Sequence, residues 1–143
     1  EAIHHLGRNK RKHNISMHLE DDLLMANMDA RLIIQVLVNL INNAIKYTPE
    51  NSNISLNAKR VEDKILIEVQ DDGNGVLHPE QLFEMFYTEN NRSGDTRRGM
   101  GLGLSLCKSI VQSHGGTIWV ENVKPHGACF KFLLEAVEVK LYE

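Results

Sequence analysis

The segment from Leu32 to Ile45 has the clearest pattern in the chain, because its apolar residues recur with the period of an α-helix. The recurring positions form one broad apolar face: Leu32, Ile33, Val36, Leu37, Leu40, Ile41, Ala44 and Ile45. Asp29 is a suitable N-cap before this pattern, and Pro49 ends it. A helix with so wide an apolar face has to be covered by another layer of structure.

Alternating apolar and polar residues supply that layer. They predict strands at 14–19, 53–59 and 64–70 and a closing hairpin made of 117–122 and 127–134. A second helix precedes this hairpin and ends at Gly115-Gly116, with Leu102, Leu106, Ile110 and Val111 on its apolar face. The irregular order of helices and strands predicts an α+β fold, a two-layer sandwich in which helices cover one face of a mixed sheet.

The 143 residues are enough for one domain, and 42% hydrophobic and 24% charged residues are typical of a globular protein. We expect residues 14–135 to form that domain, between the end of a linker helix at 1–13 and a tail at 136–143. Four of the 16 basic residues lie within 1–13, so the body is acidic, which argues against a nucleic-acid partner. No apolar run reaches the ~20 residues of a membrane span, so no direct membrane contact is expected. Cys107 and Cys129 are interpreted as reduced core thiols of a cytosolic protein.

Three polar residues lie along one border of the first helix's apolar face. At about 100° per residue, Asn39, Asn43 and Lys46 fall within a narrow arc, and Tyr47 follows them. Each alone could be a solvated edge residue, but amide and ammonium groups beside a core need partners. An amide oxygen suits a hard cation such as Mg²⁺, and a lysine supplies a positive charge for a phosphate.

Two glycine-containing segments are further candidates. In Asp71-Asp72-Gly73-Asn74-Gly75, the glycines either serve a tight turn or let the backbone approach a flat ring whose amine Asp71 binds. The segment Gly99-Met100-Gly101-Leu102-Gly103-Leu104 precedes the second helix, where outward-pointing N–H groups at the positive end of the helix dipole form an anion site. It is not a Walker loop, because no GK[ST] follows.

Together and in this order, NLINNAIKY (39–47), DDGNG (71–75), LFEMFY (82–87) and GMGLGL (99–104) resemble the N, G1, F and G2 boxes of sensor histidine kinases. These kinases share a superfamily with DNA gyrase, mismatch-repair ATPases and heat-shock chaperones. The resemblance extends over about residues 14–134, and FYTENNRSGDTRRGMGLGL is most similar to the KdpD type. It implies the Bergerat ATP-binding fold, which agrees with the two layers predicted above.

The resemblance also implies ATP and Mg²⁺ as ligands. Asn43 would coordinate Mg²⁺ with Asn39 supporting it, Lys46 would contact phosphate, and Arg97 or Arg98 would reach the γ-phosphate. Asp71 would bind the adenine amino group, and Phe83 would help to anchor the lid. The other residues implied to line the site are Tyr47, Gly73, Gly75, Val76, Phe86, Tyr87, Gly99, Gly101, Leu102, Gly103 and Leu104.

Asn39 bears on the type of reaction. In hydrolysing members of the superfamily a glutamate in its place activates water, whereas an amide cannot remove a proton. The resemblance therefore implies transfer of the γ-phosphoryl group to a histidine, with little hydrolysis. His4 and His5 lack the sequence context of a phosphoacceptor, so the acceptor is expected on a dimerisation domain outside this chain. A response regulator would act downstream, and the whole protein would be anchored in the cell membrane.

Two alternatives remain open at this point. A degenerate kinase would bind ATP as a sensing module without transferring phosphate, although the set of Asn43, Lys46 and Arg97 or Arg98 favours an enzyme. A hydrolysing or serine-phosphorylating member of the superfamily is the other, and the lack of a glutamate at position 39 disfavours it. The sequence Gly127-Ala128-Cys129 also lacks the hydroxyl often found after that glycine, which leaves a water-mediated adenine contact open.

Overall fold

The computed structural model describes residues 14–19, 30–84 and 103–135. Its elements, in chain order, are β1 (Asn14–Leu19), α1 (Ala30–Tyr47), β2 (Asn53–Val61), β3 (Lys64–Asp71), a 3₁₀ turn at Pro79–Gln81, α2 (Gly103–Ser113), β4 (Thr117–Asn122) and β5 (Ala128–Glu135). Every strand predicted from the sequence is present, with ends within two residues of the prediction. Asp29, the predicted N-cap, lies outside the described residues.

The strands form one five-stranded sheet in the order β1-β2-β3-β5-β4. β1 runs parallel to β2, whereas the β2–β3, β3–β5 and β5–β4 pairs are antiparallel. Two neighbouring parallel strands need a crossover, and α1 provides it between β1 and β2. The predicted mixed sheet is therefore confirmed. The last strand in the described part of the chain, β5, lies inside the sheet and not at its edge.

The core lies between the two helices and one face of the sheet. Buried residues alternate along the central strands, as the pleat requires, and Val69, Phe130 and Val120 lie side by side on this face. α1 adds a row of fully buried side chains at helical spacing, Val36, Leu40 and Ile41. The two-layer sandwich with helices on one face is confirmed.

The apolar faces of the helices differ from the prediction at two leucines. Leu106 is 43% exposed, and the buried side of α2 consists of Cys107, Ile110 and Val111. The α2 helix is thus rotated so that the small Cys107 side chain packs against α1, with its Sγ 3.8 Å from the Val36 carbonyl oxygen. Leu32, in the first turn of α1, is also exposed, at 37%. The predicted helix end is confirmed, since α2 stops at Ser113, just before Gly115-Gly116.

The opposite face of the sheet carries charged side chains. Lys131 of β5 lies 2.9 Å from Glu121 of β4 and 3.7 Å from Glu68 of β3. Cys129 is buried beside them, with its Sγ donating to a Glu68 carboxylate oxygen at 3.5 Å. Burial and the neighbouring Glu68 raise the pKa of this thiol to about 12. Both cysteines are free and buried, as predicted, although Cys129 faces away from the helices.

Candidate functional site

The first two sequence motifs meet where the end of α1 touches the loop after β3. A Cβ atom on Gly73 would lie 2.6 Å from the Thr48 Cγ2 atom, so only glycine lets the loop pass this close to the helix end. Thr48 is itself held by its hydroxyl group, which donates to the Ala44 carbonyl oxygen at 2.5 Å. The segment 39–47 and the segment 71–75, which are separate in sequence, therefore form one surface.

Asp71 is the buried acid of this surface and is 9% exposed. Its Oδ1 atom accepts hydrogen bonds from the backbone N–H groups of Gly73, at 2.9 Å, and Ala128, at 3.3 Å. Burial raises the pKa of the Asp71 carboxyl, and these two hydrogen bonds oppose that rise. Within the described part of the chain its Oδ2 atom has no hydrogen-bond partner. The carboxylate is thus fixed through one oxygen and keeps the other as an acceptor.

The neighbouring Asp72 has a different task. Its two carboxylate oxygens accept from the backbone N–H and the side-chain amide of Asn53, both at 2.9 Å. These bonds hold the pKa of Asp72 below its ordinary value despite some desolvation. Asp72 thus ties the start of the loop to the start of β2.

The middle of the loop is held by β4. The side-chain amide of Asn122, the last residue of β4, accepts from the Val76 N–H at 2.7 Å and donates to the Val76 carbonyl at 2.9 Å. A Cβ atom on Gly75 would lie 2.6 Å from Asn122 Oδ1, and Gly75 has a φ of +83°. Both glycines of the motif therefore have a structural neighbour at the Cβ position, Thr48 for Gly73 and Asn122 for Gly75. The space beside each glycine is therefore occupied by a side chain of the protein itself, whether or not a ligand approaches the backbone.

The turn between β4 and β5 also contacts the loop after β3. The His126 Nδ1 atom lies 3.2 Å from the Gly73 carbonyl oxygen. Gly127 has a φ of +117° and packs so tightly on the Asp71 carbonyl that a Cβ atom would overlap it. The Ala128 N–H that reaches Asp71 comes from the next residue. Although this turn lacks the hydroxyl discussed above, its backbone contacts the acid directly.

The polar border of α1 has three different environments. The Asn39 amide hydrogen-bonds the Cys107 thiol, whose pKa burial raises to about 11. Lys46 places its Nζ atom 5.2 Å from the centre of the Tyr47 ring, and Tyr47 is 44% exposed. The Asn43 side chain makes no hydrogen bond to a described residue, so its amide is available to a ligand. Asn39 thus faces α2, and Lys46 and Tyr47 face each other at the end of α1.

The structure describes only part of the two remaining motifs. Gly103 is the first residue of α2, with open space where a Cβ atom would stand, and Leu104 packs against the core. Phe83 is buried and meets Phe130 edge to face, with ring centroids 6.1 Å apart. Seven predicted site residues lie outside the described residues: Phe86, Tyr87, Arg97, Arg98, Gly99, Gly101 and Leu102. Their roles stay predictions.

The sequence motifs did not reveal the residues of the β4–β5 hairpin that shape the site. Asn122 and His126 belong to no recognisable pattern, and Ala128 acts through its backbone. The only available signal was that the residues after Gly127 deviate from the family's habit.

Comparisons with known proteins agree with this geometry. Residues 28–138 match the family described as histidine kinase-, DNA gyrase B- and HSP90-like ATPase. The sensor protein KdpD of Clostridium acetobutylicum is 37% identical over 134 residues, which is 92% of this chain and 15% of that protein. The catalytic domain of the histidine kinase ThkA superposes with a TM-score of 0.81 at 29% identity, covering 94% of this chain and 88% of that one. ThkA in complex with the response regulator protein TrrA gives a TM-score of 0.78 at 28% identity, covering 95% of this chain and 38% of that one.

The chain therefore belongs to the histidine kinase-, DNA gyrase B- and HSP90-like ATPase family. Within it, the chain has the fold and sequence of a sensor histidine kinase's ATP-binding catalytic domain, with KdpD among its relatives. It spans less than a third of the first sensor kinases that it matches. Among the helices that the structure describes, none is both long and apolar enough to cross a bilayer.

Proposed function

We propose that this domain binds ATP together with Mg²⁺ and transfers the γ-phosphoryl group to a histidine on a dimerisation domain outside the chain. The observation that carries the proposal is Asp71, a buried carboxylate fixed through Oδ1 and open at Oδ2. A buried acceptor of this kind selects a ring with an exocyclic amine, as in adenine, because the desolvated acid needs a donor. The family match over residues 28–138 supports the nucleotide as the ligand.

The residues at the end of α1 fit a cation shared with phosphates. In the described part of the chain no three His, Cys, Asp or Glu side chains are grouped to hold a metal. An all-protein site is therefore not offered here, but Mg²⁺ commonly takes one or two protein oxygens and completes its shell with phosphates and water. The Asn43 amide can supply one such oxygen, and Asn39 lies one turn earlier on α1. When bound, the cation would neutralise phosphate charge.

The remaining residues divide the work of positioning the phosphates. Lys46 lies beside Tyr47 at the end of α1, and Arg97 or Arg98 would stabilise charge on the γ-phosphoryl group in the transition state. The backbone from Gly99 to Leu104 would hold the phosphates at the start of α2. In the transfer, the bond from the γ-phosphorus to the bridging oxygen breaks, a phosphorus–nitrogen bond to the imidazole forms, and ADP leaves. Val76, Gly73 and Gly75 would form the adenine wall, with Phe86 and Tyr87 in the lid.

Asn39 supports transfer over hydrolysis. Its amide is engaged with the Cys107 thiol and cannot act as a general base. Nothing at that position would then activate water, and the γ-phosphoryl group would wait for an imidazole nitrogen.

The same proposal covers the surroundings of the domain. We assign residues 14–135 to the catalytic domain, 1–13 to the end of a linker helix and 136–143 to a tail. The partners are the dimerisation domain and a response regulator, as in the ThkA–TrrA complex. We assign the domain to the cytoplasm, which its two free cysteines support, and we expect the whole protein to be anchored in the membrane.

Phosphotransfer to a separately supplied dimerisation hairpin tests this function. The domain is incubated with labelled ATP and the hairpin of its own kinase, and we expect acid-labile, base-stable label on the hairpin. Matched controls are a hairpin without its histidine, which should remain unlabelled, and the domain with Asp71→Asn, which should need a higher ATP concentration to label the hairpin to the same extent. ATP binding without transfer would instead establish the sensing module.

A further inference from the structure

One part of the proposed adenine wall, the loop at residues 73–76, is held by a residue that is distant from it in the sequence. Asp71 is fixed by its own strand and by Ala128, but the loop beyond Asp72 leaves β3 and joins no other strand. The side chain of Asn122, the last residue of β4, binds both backbone groups of Val76 in this loop. One amide thus replaces the pair of ladder bonds that a neighbouring strand would make.

The lack of a side chain at Gly75 makes room for this contact. Its missing Cβ atom leaves the space that Asn122 Oδ1 occupies, and the Gly127 carbonyl oxygen lies 3.1 Å from the same point. Its φ of +83° turns the loop toward β4 in a conformation that other residues adopt at a cost. A glycine at position 75 therefore leaves room for the Asn122 side chain, which binds the next residue, Val76, across 46 positions of the sequence.

We infer that Asn122 is a positioning residue for adenine recognition, and the inference rests on the proposed function. It holds residues 73–76 against β4, so the backbone beside Asp71 already has its binding conformation before the nucleotide binds. Both ends of the Asn122 amide bind Val76, so the role assigned to Asn122 is to position the loop. Without it, the loop would have to be ordered at the expense of binding energy, and the loss would fall on ligands that depend on the Asp71 acceptor.

Competition binding with ATP and inosine triphosphate tests this assignment, because inosine has a carbonyl in place of the amine that Asp71 would accept. Both are titrated against a fluorescent ATP analogue on the whole chain, and unfolding temperatures are recorded. For Asn122→Ala we expect ATP affinity to fall about tenfold, the value of one to two hydrogen bonds. Inosine triphosphate affinity should change much less, so the preference for ATP shrinks.

Two further variants sharpen the result. Asn122→Asp keeps an acceptor for the Val76 N–H but loses the donor to its carbonyl, and it should retain part of the preference. Glu121→Ala is the matched control, since it removes an exposed side chain from the adjacent position, on the other face of β4. It should leave both affinities unchanged.

Equal weakening of ATP and inosine triphosphate by Asn122→Ala, or unchanged ATP affinity, would overturn the inference and leave Asn122 a purely structural residue. The proposed function fails in a different way, when the unmodified domain itself does not bind ATP. A wild-type domain that binds ATP and inosine triphosphate alike removes the role given to Asp71, and the role of Asn122 with it.

Discussion

At the scale of single residues, the site depends on an acid that the fold makes costly to ionise. Asp71 is buried, and only two backbone N–H groups compensate its charge within the described structure. A buried carboxylate with an unused acceptor oxygen lowers the stability of the folded protein, but the same oxygen can bind a ligand's donor group. Two predictions separate these effects.

Asp71→Asn should weaken ATP binding by ~1–3 kcal/mol, because the variant presents an amide where the adenine amine needs an acceptor. Isothermal titration calorimetry measures the loss. Asp72→Asn is the matched control, since it makes the same change one residue away in a side chain that serves Asn53. Equal effects of the two substitutions, or an unchanged affinity for Asp71→Asn, would contradict the adenine assignment.

The same substitution should stabilise the ligand-free domain at neutral pH. Burial raises the pKa of Asp71 above its ordinary value of 3.8, so ionisation is less favourable in the folded than in the unfolded protein. The wild type therefore loses stability relative to Asp71→Asn as pH rises through the raised pKa, and the difference shrinks as pH falls toward 3.8. Denaturant unfolding at several pH values measures this difference. A wild type that gains stability over the variant with rising pH would contradict the burial argument.

At the scale of elements, helix rotation decides which apolar side chains enter the core. Leu106 and Cys107 are adjacent, and the periodic pattern alone accommodates Leu106 on the inner face. Packing against α1 favours the smaller cysteine there, because its thiol meets the Val36 carbonyl and the Asn39 amide. A period of 3.6 identifies a helix reliably and fixes its rotation only to within about one residue.

A pair of alanine substitutions in α2 tests this rotation. Ile110→Ala should cost about 2–5 kcal/mol of unfolding free energy, because it leaves a cavity in the core. Leu106→Ala should cost no more than about 0.5 kcal/mol, as expected for an exposed side chain. Urea unfolding of both variants provides the comparison. A larger cost for Leu106→Ala would restore the orientation predicted from the sequence.

At the scale of the whole molecule, local sequence patterns predicted most of the fold but not the long-range contacts around Asp71 and the loop after it. Local patterns predicted the strands, both helices and the motifs on α1 and after β3, because those signals lie within short stretches of chain. They could not predict Asn122 or Ala128, which contact the loop and Asp71 across 46 and 57 positions. Such contacts are set by strand order, and one sequence does not show that β5 inserts between β3 and β4.

The proposed role of the whole domain predicts slow ATP hydrolysis in isolation. Asn39 cannot activate water, and a missing general base costs about 10²–10⁴ in rate. Phosphate release by the isolated domain should therefore be slower by that margin than in family members with a glutamate at this position. The assay includes Asp71→Asn to subtract contaminating activity. ATP hydrolysis as fast as in those glutamate-containing members would contradict this prediction and indicate a hydrolysing ATPase.

The central place of β5 also affects how the protein is made. A ribosome delivers β1, α1, β2 and β3 first, but the sheet has a gap beside β3 until residues 128–135 emerge. The Ala128 N–H that fixes Asp71 and the Asn122 side chain that holds the loop both belong to this final portion. In a nascent chain, Asp71 and the loop after it therefore lack these contacts until residues 122–128 have been added. A polypeptide interrupted within the β4–β5 turn would be an incomplete sheet with an unpaired strand, and chaperones and proteases would act on it first.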